Sequence, residues 1–379
     1  MRELAKSVLE APRSGIRKIM EAAQQMEGVI HLEVGEPLFA TPDHIVEAGC
    51  KALQDGYTKY TPNAGTNELR DVIAAKRTES LGYEVTRDNI LVGIGGVEVI
   101  NCLFRTLCDP GDEILIPDPA WPNYKTMAVI SSAKVVPYHL LPDNDFLPDF
   151  DQLEGLVNDK TKLLVVNSPS NPLGVVFPED IMLKLKEFAD RHGLYILSDE
   201  AYEDIYYDEK PVSPLKFGLT DNLIAAYTMS KSYAMTGWRI GYAIASEKVI
   251  AEMTKLQEAY VSSVPGANQK AAVAALEGPE ECIENMRNQY KANMEMVREI
   301  LEDAGVRYCK PGGAFYMWIS IEGRDSTKFC MDFLKDCKVA ISPGQTFGES
   351  GEGWVRISLA SATEDLRVGI GRLAEYLKG

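Results

Sequence analysis

Between Asn89 and Ala245 the chain alternates short β-branched or apolar runs with longer amphipathic stretches. Helices laid over a largely parallel sheet produce this pattern. Five runs are strand candidates: NILVG from Asn89, EILIP from Glu113, KLLVVNS from Lys162, LYILS from Leu194 and IAAYTM from Ile224. Each ends near Gly, Pro, Ser or Asp, as strands do when they enter functional loops. In open α/β sheets ligands collect beyond the carboxyl ends of the strands. Gly95, Asn171, Asp199 and Lys231 each follow one of these runs, so they are expected to converge on one crevice.

Around Gly278 the texture changes. A charged helical stretch through Asn285 to Glu302 leads to the apolar runs AFYMWIS, VAIS and WVRISLA and then to a final helical segment. This predicts a smaller α+β domain beside a large α/β domain. Residues ahead of His31 read as a helical arm. The expected division is an arm over 1–30 that is part of the small domain, a small α+β domain of 31–46 and 279–379, and a large domain over 47–278. There is no internal repeat or low-complexity tract.

Composition narrows the class. With 45% hydrophobic and 25% charged residues the chain reads as globular, and no apolar run approaches the roughly 20 residues that span a bilayer. The opening residues mix charges of both signs and lack the apolar core of a signal peptide, so a cytoplasmic protein with no membrane association is expected. A formal net charge of −17 repels polyphosphates and argues against nucleic-acid binding. The seven cysteines form no CxxC pair, which fits a reducing compartment. The four histidines form no HExxH, and no metal site is expected.

Three segments carry candidate chemistry. Gly93-Ile94-Gly95-Gly96-Val97-Glu98 follows a strand and opens an apolar helical run. Glycines there admit close backbone approach, and free amides at a helix start favour an anion. A turn that simply needs glycine explains the segment equally well. It is neither a GxGxxG nor a Walker loop, since Glu98 stands where the last glycine belongs and no GK[ST] follows. The second segment, LYILSDEAY, presents Asp199 at a strand end, either as the counter-ion of a protonated pyridine nitrogen or as a helix cap. In the third, TMSKSYAMTGWRIGY, Lys231 follows a strand among apolar neighbours, with Arg239 eight positions later. A crowded amine of lowered pKa attacks an aldehyde, whereas a guanidinium grips phosphate. An ordinary surface lysine is the alternative.

With these segments in place the chain resembles the fold-type I, class I/II aminotransferases, near the microbial aspartate and aromatic aminotransferases. The resemblance spans almost the whole chain. It runs in the family's order through SGIRK, EVGEPLFATPDHI, KYTPNAGTNELR, NSPSNPLG, SDEAYE, SKSYAMTGWRIGY, GGAFYMW, SPGQTFG and VRISLA.

The resemblance implies a mostly parallel, seven-stranded sheet flanked by helices, and pyridoxal 5′-phosphate as cofactor. Lys231 matches the Schiff-base lysine, Asp199 the partner of the pyridine nitrogen, and Tyr202 and Asn171 the donors to the cofactor's phenolic oxygen. Ser230, Arg239, Gly95 and the amides of Gly96 and Val97 match the phosphate cup, with Val97 standing where many relatives place a polar residue. Trp121 matches the aromatic stacked on the ring. Tyr60 matches the tyrosine that reaches the phosphate of a neighbouring subunit. Arg356 and Gly35 match the groups that take the substrate's α-carboxylate, with Trp121 and Asn171 completing the substrate side. The implied activity is ping-pong transfer of an amino group between an L-α-amino acid and a 2-oxo acid, of aspartate, aromatic or alanine type, by a homodimer with shared sites. A lyase or synthase on the same fold, or a non-catalytic effector-binding protein, are the alternatives.

Overall fold

The structure, a computed structural model, describes residues 4–12 and 15–378. The first residue of the SGIRK motif, Ser14, lies outside them, as do residues 1–3 and 13 of the expected arm.

Strand β1 (Ile30–His31) pairs in parallel with a segment near the C-terminus, described below. The main sheet follows: β2 (Ile90–Gly93), β3 (Glu113–Asp118), β4 (Lys134–His139), β5 (Thr161–Asn167), β6 (Tyr195–Asp199), β7 (Leu223–Thr228) and β8 (Gly241–Ile244). Its order is β2-β8-β7-β6-β5-β3-β4, and β8 alone runs antiparallel to its neighbours. The fold is therefore α/β with a mostly parallel seven-stranded sheet.

All five strand candidates are strands. Two members of the sheet were not among them. β4 is a sheet edge with Tyr138 buried and its other residues partly or fully exposed, and Pro137 interrupts its apolar run. β8 is only four residues long and begins on Gly241. The central strands β5 to β7 are almost entirely buried, because helices cover both faces of such a sheet.

A second sheet is built from β9 (Tyr308–Cys309), β10 (Tyr316–Ser320), β12 (Ser342–Pro343) and β13 (Trp354–Ser358), in the order β12-β13-β10-β9 and antiparallel throughout. The apolar run VAIS is divided between two sheets. Val339–Ala340 (β11) pairs with β1, and after Ile341 the chain enters β12 in the other sheet. The helix Glu281–Asp303 covers the charged stretch anticipated there, and Thr363–Lys378 is the final helix. The N-terminal segment forms the helices Lys6–Glu10 and Gly15–Ala23. Among the described residues no helix is long and apolar enough to cross a membrane.

Candidate active site

The sheet's topology brings the candidate residues together. A cavity of about 320 Å³ opens at the carboxyl ends of β5, β6 and β7. Gly35, Gly96, Val97, Trp121, Asn171, Asp199, Tyr202, Ser230, Lys231, Arg239 and Arg356 all line it. Gly95 stands directly behind, as the residue before the helix Gly96–Leu107. Tyr60 is the one expected site residue that the chain does not bring to this cavity: it is 89% exposed, on a segment anchored by the Thr61 hydroxyl donating to the Val264 carbonyl at 2.8 Å.

Asp199 ends β6 deep in the protein. Its Oδ2 accepts from the Tyr124 hydroxyl, and its Oδ1 accepts from the Ala201 amide at 3.1 Å. One carboxylate oxygen thus caps the following turn, and the residue also lines the cavity. No cation pairs with it among the described residues, and burial pushes its pKa up to about 6 against the pull of its two donors. A carboxylate built into such a place is stabilised by a cationic partner.

Lys231 lies one strand over, in the short helical turn Met229–Ser232 after β7. The Thr228 hydroxyl caps that turn by accepting the Ser230 amide at 3.2 Å. The reading of Lys231 as a surface lysine fails: its Nζ points inward and donates to the Gly35 carbonyl at 2.7 Å. No carboxylate pairs with it among the described residues. Burial lowers its pKa to about 8, with Glu36 opposing and Arg356 and Arg239 adding to the depression. The amine is therefore largely neutral, and nucleophilic, above about pH 8, well below the range of a solvated lysine.

An anion cradle lines the same cavity. Gly95 has φ +90°, in the region that favours glycine, and it turns the chain from β2 into the helix Gly96–Leu107. The first-turn amides of Gly96 and Val97 precede any carbonyl that could receive them, so they are free for an anion. A Cβ on Gly241 would stand 2.5 Å from the Gly96 nitrogen, which shows how closely β8 backs this loop. Arg239 closes the cradle, donating to the Thr236 carbonyl at 2.7 Å and to the Ile94 carbonyl at 3.3 Å. Ser230 adds a buried hydroxyl.

Arg356 stands in the middle of the second sheet, opposite Trp318 on β10 and Ser342 on β12. It is 2% exposed, and its guanidinium lies 4.2 Å from the Tyr316 ring centre and 4.8 Å from that of Phe347. It donates to Asn171 Oδ1 at 3.0 Å and to the Glu33 carbonyl at 2.7 Å, while its Nε has no partner. Among the described residues no ion pair neutralises it, so it offers a buried, rigid fork for a carboxylate. Asn171 spends its carbonyl on this arginine, which leaves its amide nitrogen to donate into the cavity. Tyr202 and Tyr316 share a hydrogen bond of 2.9 Å between their hydroxyls. A side chain at Gly35 would run into the Tyr316 hydroxyl, which is why glycine stands there.

Sequence reasoning missed several residues. Tyr124 holds Asp199, Asn167 donates to the Asp199 carbonyl at 2.9 Å and accepts the Asn171 amide at 2.8 Å, and Tyr316 braces both Arg356 and Tyr202. None carries a local signal. Tyr124 reads as one more residue of an amphipathic helix, and the contacts of Tyr316 form only when the second sheet packs against the first.

A buried acid awaiting a cation, an amine of lowered pKa, an anion cradle and a carboxylate fork in one cavity define an enzyme that handles an amino acid and an anionic cofactor. The chain belongs to the aminotransferase class I and II family, whose model matches residues 27–373. It is 38% identical to an aspartate aminotransferase of Pyrococcus horikoshii over 99% of this chain and 97% of that protein. It is 36% identical to an aromatic-amino-acid aminotransferase of Thermococcus litoralis over 96% of each. The crystal structure of an aspartate aminotransferase from Thermotoga maritima superposes with a TM-score of 0.95 at 34% identity, covering 99% of this chain and 100% of that one. The protein is an aminotransferase, acting on amino acids and 2-oxo acids.

Proposed function

We propose that pyridoxal 5′-phosphate occupies the cavity, and that the chain uses it to move an amino group between an L-α-amino acid and a 2-oxo acid. The observation that carries this reading is the set of groups gathered in one cavity: a buried Asp199 that no cation pairs with among the described residues, the amides of Gly96 and Val97 with Ser230 and Arg239, and Lys231. A protonated pyridine suits the first, a phosphate the second, and an aldehyde the third. When bound, the cofactor supplies an electron sink that makes the proton on the substrate's α-carbon removable.

This chain's residues do the rest. Arg356 grips the α-carboxylate through two parallel N–H donors, and because both half-reactions use one site, the same fork holds amino acid and 2-oxo acid in turn. Asp199 keeps the ring nitrogen protonated, and Tyr124 fixes the carboxylate's orientation. Asn171 and Tyr202 donate to the ring's phenolic oxygen, and Trp121 covers one face of the ring. Lys231 would hold the cofactor's aldehyde carbon as nucleophile and, once displaced by the substrate's amine, would act as general base, its Nζ taking the proton from the substrate's α-carbon and delivering it to the cofactor's aldehyde carbon.

We further assign the arm over 1–30 and the segments 31–46 and 279–379 to a small domain and 47–278 to a large one. The pairing of β1 with β11 and the confinement of the seven-stranded sheet to 90–244 favour this division. The active unit is a homodimer in which Tyr60 donates to the partner's phosphate. Its support is the exposure of Tyr60 together with Leu38, Leu53 and Tyr57. A cytoplasmic location suits seven cysteines that are all unpaired.

The test is a panel of amino donors assayed with 2-oxoglutarate and with pyruvate. Each productive donor should bleach the cofactor's near-visible band and yield its 2-oxo acid. A protein that retains the band unchanged with every donor contradicts the reading.

A further inference from the structure

Two of the substrate's substituents are fixed by groups already described. Under the assignment above, on which this inference rests, Arg356 takes the α-carboxylate and Lys231 works at the α-carbon. The side chain is left to the remaining wall of the cavity. That wall is apolar: Ile16 and Met20 come from the helix Gly15–Ala23, and Val97 and Ile100 from the helix Gly96–Leu107. Val97 is 41% exposed, so its isopropyl group faces the open side of the cavity rather than the core.

Charge excludes as clearly as shape admits. Among the described residues, the cations lining the cavity are Lys231, Arg239 and Arg356, and each has a task. No fourth cation among this chain's described residues lines the cavity to receive a second carboxylate. With Asp199 committed to the ring nitrogen, Glu33 is the remaining acidic residue of the lining and repels one, and the chain's formal charge of −17 does the same at longer range. An ionised group enters an apolar wall only at the cost of its lost hydration, whereas each methylene gains by burial there.

We infer that the site selects amino acids with apolar or aromatic side chains and discriminates against the dicarboxylic ones, with Ile16, Met20 and Val97 as the wall that reads the side chain. Several relatives are named for aspartate, and the selectivity inferred for this chain differs from what those names say.

The test is calorimetric titration of the holoenzyme with two unreactive carboxylates, maleate and 3-phenylpropionate. Both present a carboxylate to Arg356, and they differ in what they offer the wall. The parent should bind 3-phenylpropionate at least tenfold more tightly. Ile16→Arg, which places a cation on the wall, should gain at least tenfold in maleate affinity. Tighter maleate binding by the parent, or an Ile16→Arg protein that binds maleate no better than the parent, overturns the inference. The donor panel keeps the two levels apart. If aspartate is turned over fastest, only the selectivity is wrong, whereas turnover of no donor defeats the aminotransferase reading and this inference with it.

Discussion

The hydroxyl of Tyr124 donates to Oδ2 of Asp199, so the acid at the floor of the cavity is oriented by a neutral group and left without a counter-charge. Asp199→Asn keeps the shape and removes the charge. It should reduce kcat on the order of 10²–10³-fold, the usual cost of removing one aligned electrostatic group, while cofactor affinity falls far less. Steady-state kinetics together with cofactor content after gel filtration check this. Near-normal turnover in Asp199→Asn would remove Asp199 from the mechanism.

The approach of β8 to the anion cradle gives a second prediction. A Cβ at Gly241 meets the Gly96 nitrogen, the Gly95 carbonyl carbon and the Tyr227 carbonyl oxygen, all of them backbone. No side chain can swing aside, so Gly241→Ala should displace the loop that holds the phosphate and weaken cofactor retention by roughly tenfold or more, an overpacking penalty of about 1–3 kcal/mol. Gly155→Ala, where a Cβ would meet nothing within 4 Å, is the control. Dialysis against phosphate buffer, followed by measurement of retained cofactor, separates the two.

The environment of Lys231 predicts a pH dependence. Burial lowers its pKa to about 8, so the neutral, nucleophilic amine predominates above that value and disappears as pH falls through it. The rate at which the apoprotein captures pyridoxal phosphate covalently should rise through about pH 8 and level off. A rate that climbs without a break to pH 10 would mean that the amine behaves as a solvated lysine.

Tyr60 offers a test of the shared site. Lys231→Ala and Tyr60→Phe subunits, mixed and allowed to exchange, form hybrids in which one site keeps an intact Lys231 and receives an intact Tyr60 from its partner. Activity should rise above that of either parent. Exchange verified by mass without any recovery, or an active species that sediments as a monomer, would contradict the composite site.

Much of the candidate site was legible because its residues sit where short, continuous apolar runs stop. Asp199 closes β6 and Lys231 follows β7, and a strand's end can be read from four or five consecutive residues. The edge strand β4 was hidden because Pro137 interrupts its apolar run, and the division of VAIS between two sheets leaves no local mark in the sequence. Residues that act by bracing others were less legible still. Tyr316 touches Arg356, Tyr202 and the space above Gly35 only because β10 and β13 pair in one register. That pairing joins positions forty residues apart, and no local pattern records it.

The central claim is that Lys231 is the residue to which the cofactor is joined. Borohydride reduction of the holoenzyme, followed by proteolysis and mass spectrometry, tests it most directly. The account predicts a pyridoxyl label on the peptide containing Lys231, and no reducible label in Lys231→Ala. A label on any other lysine, or an undiminished label in Lys231→Ala, would contradict it.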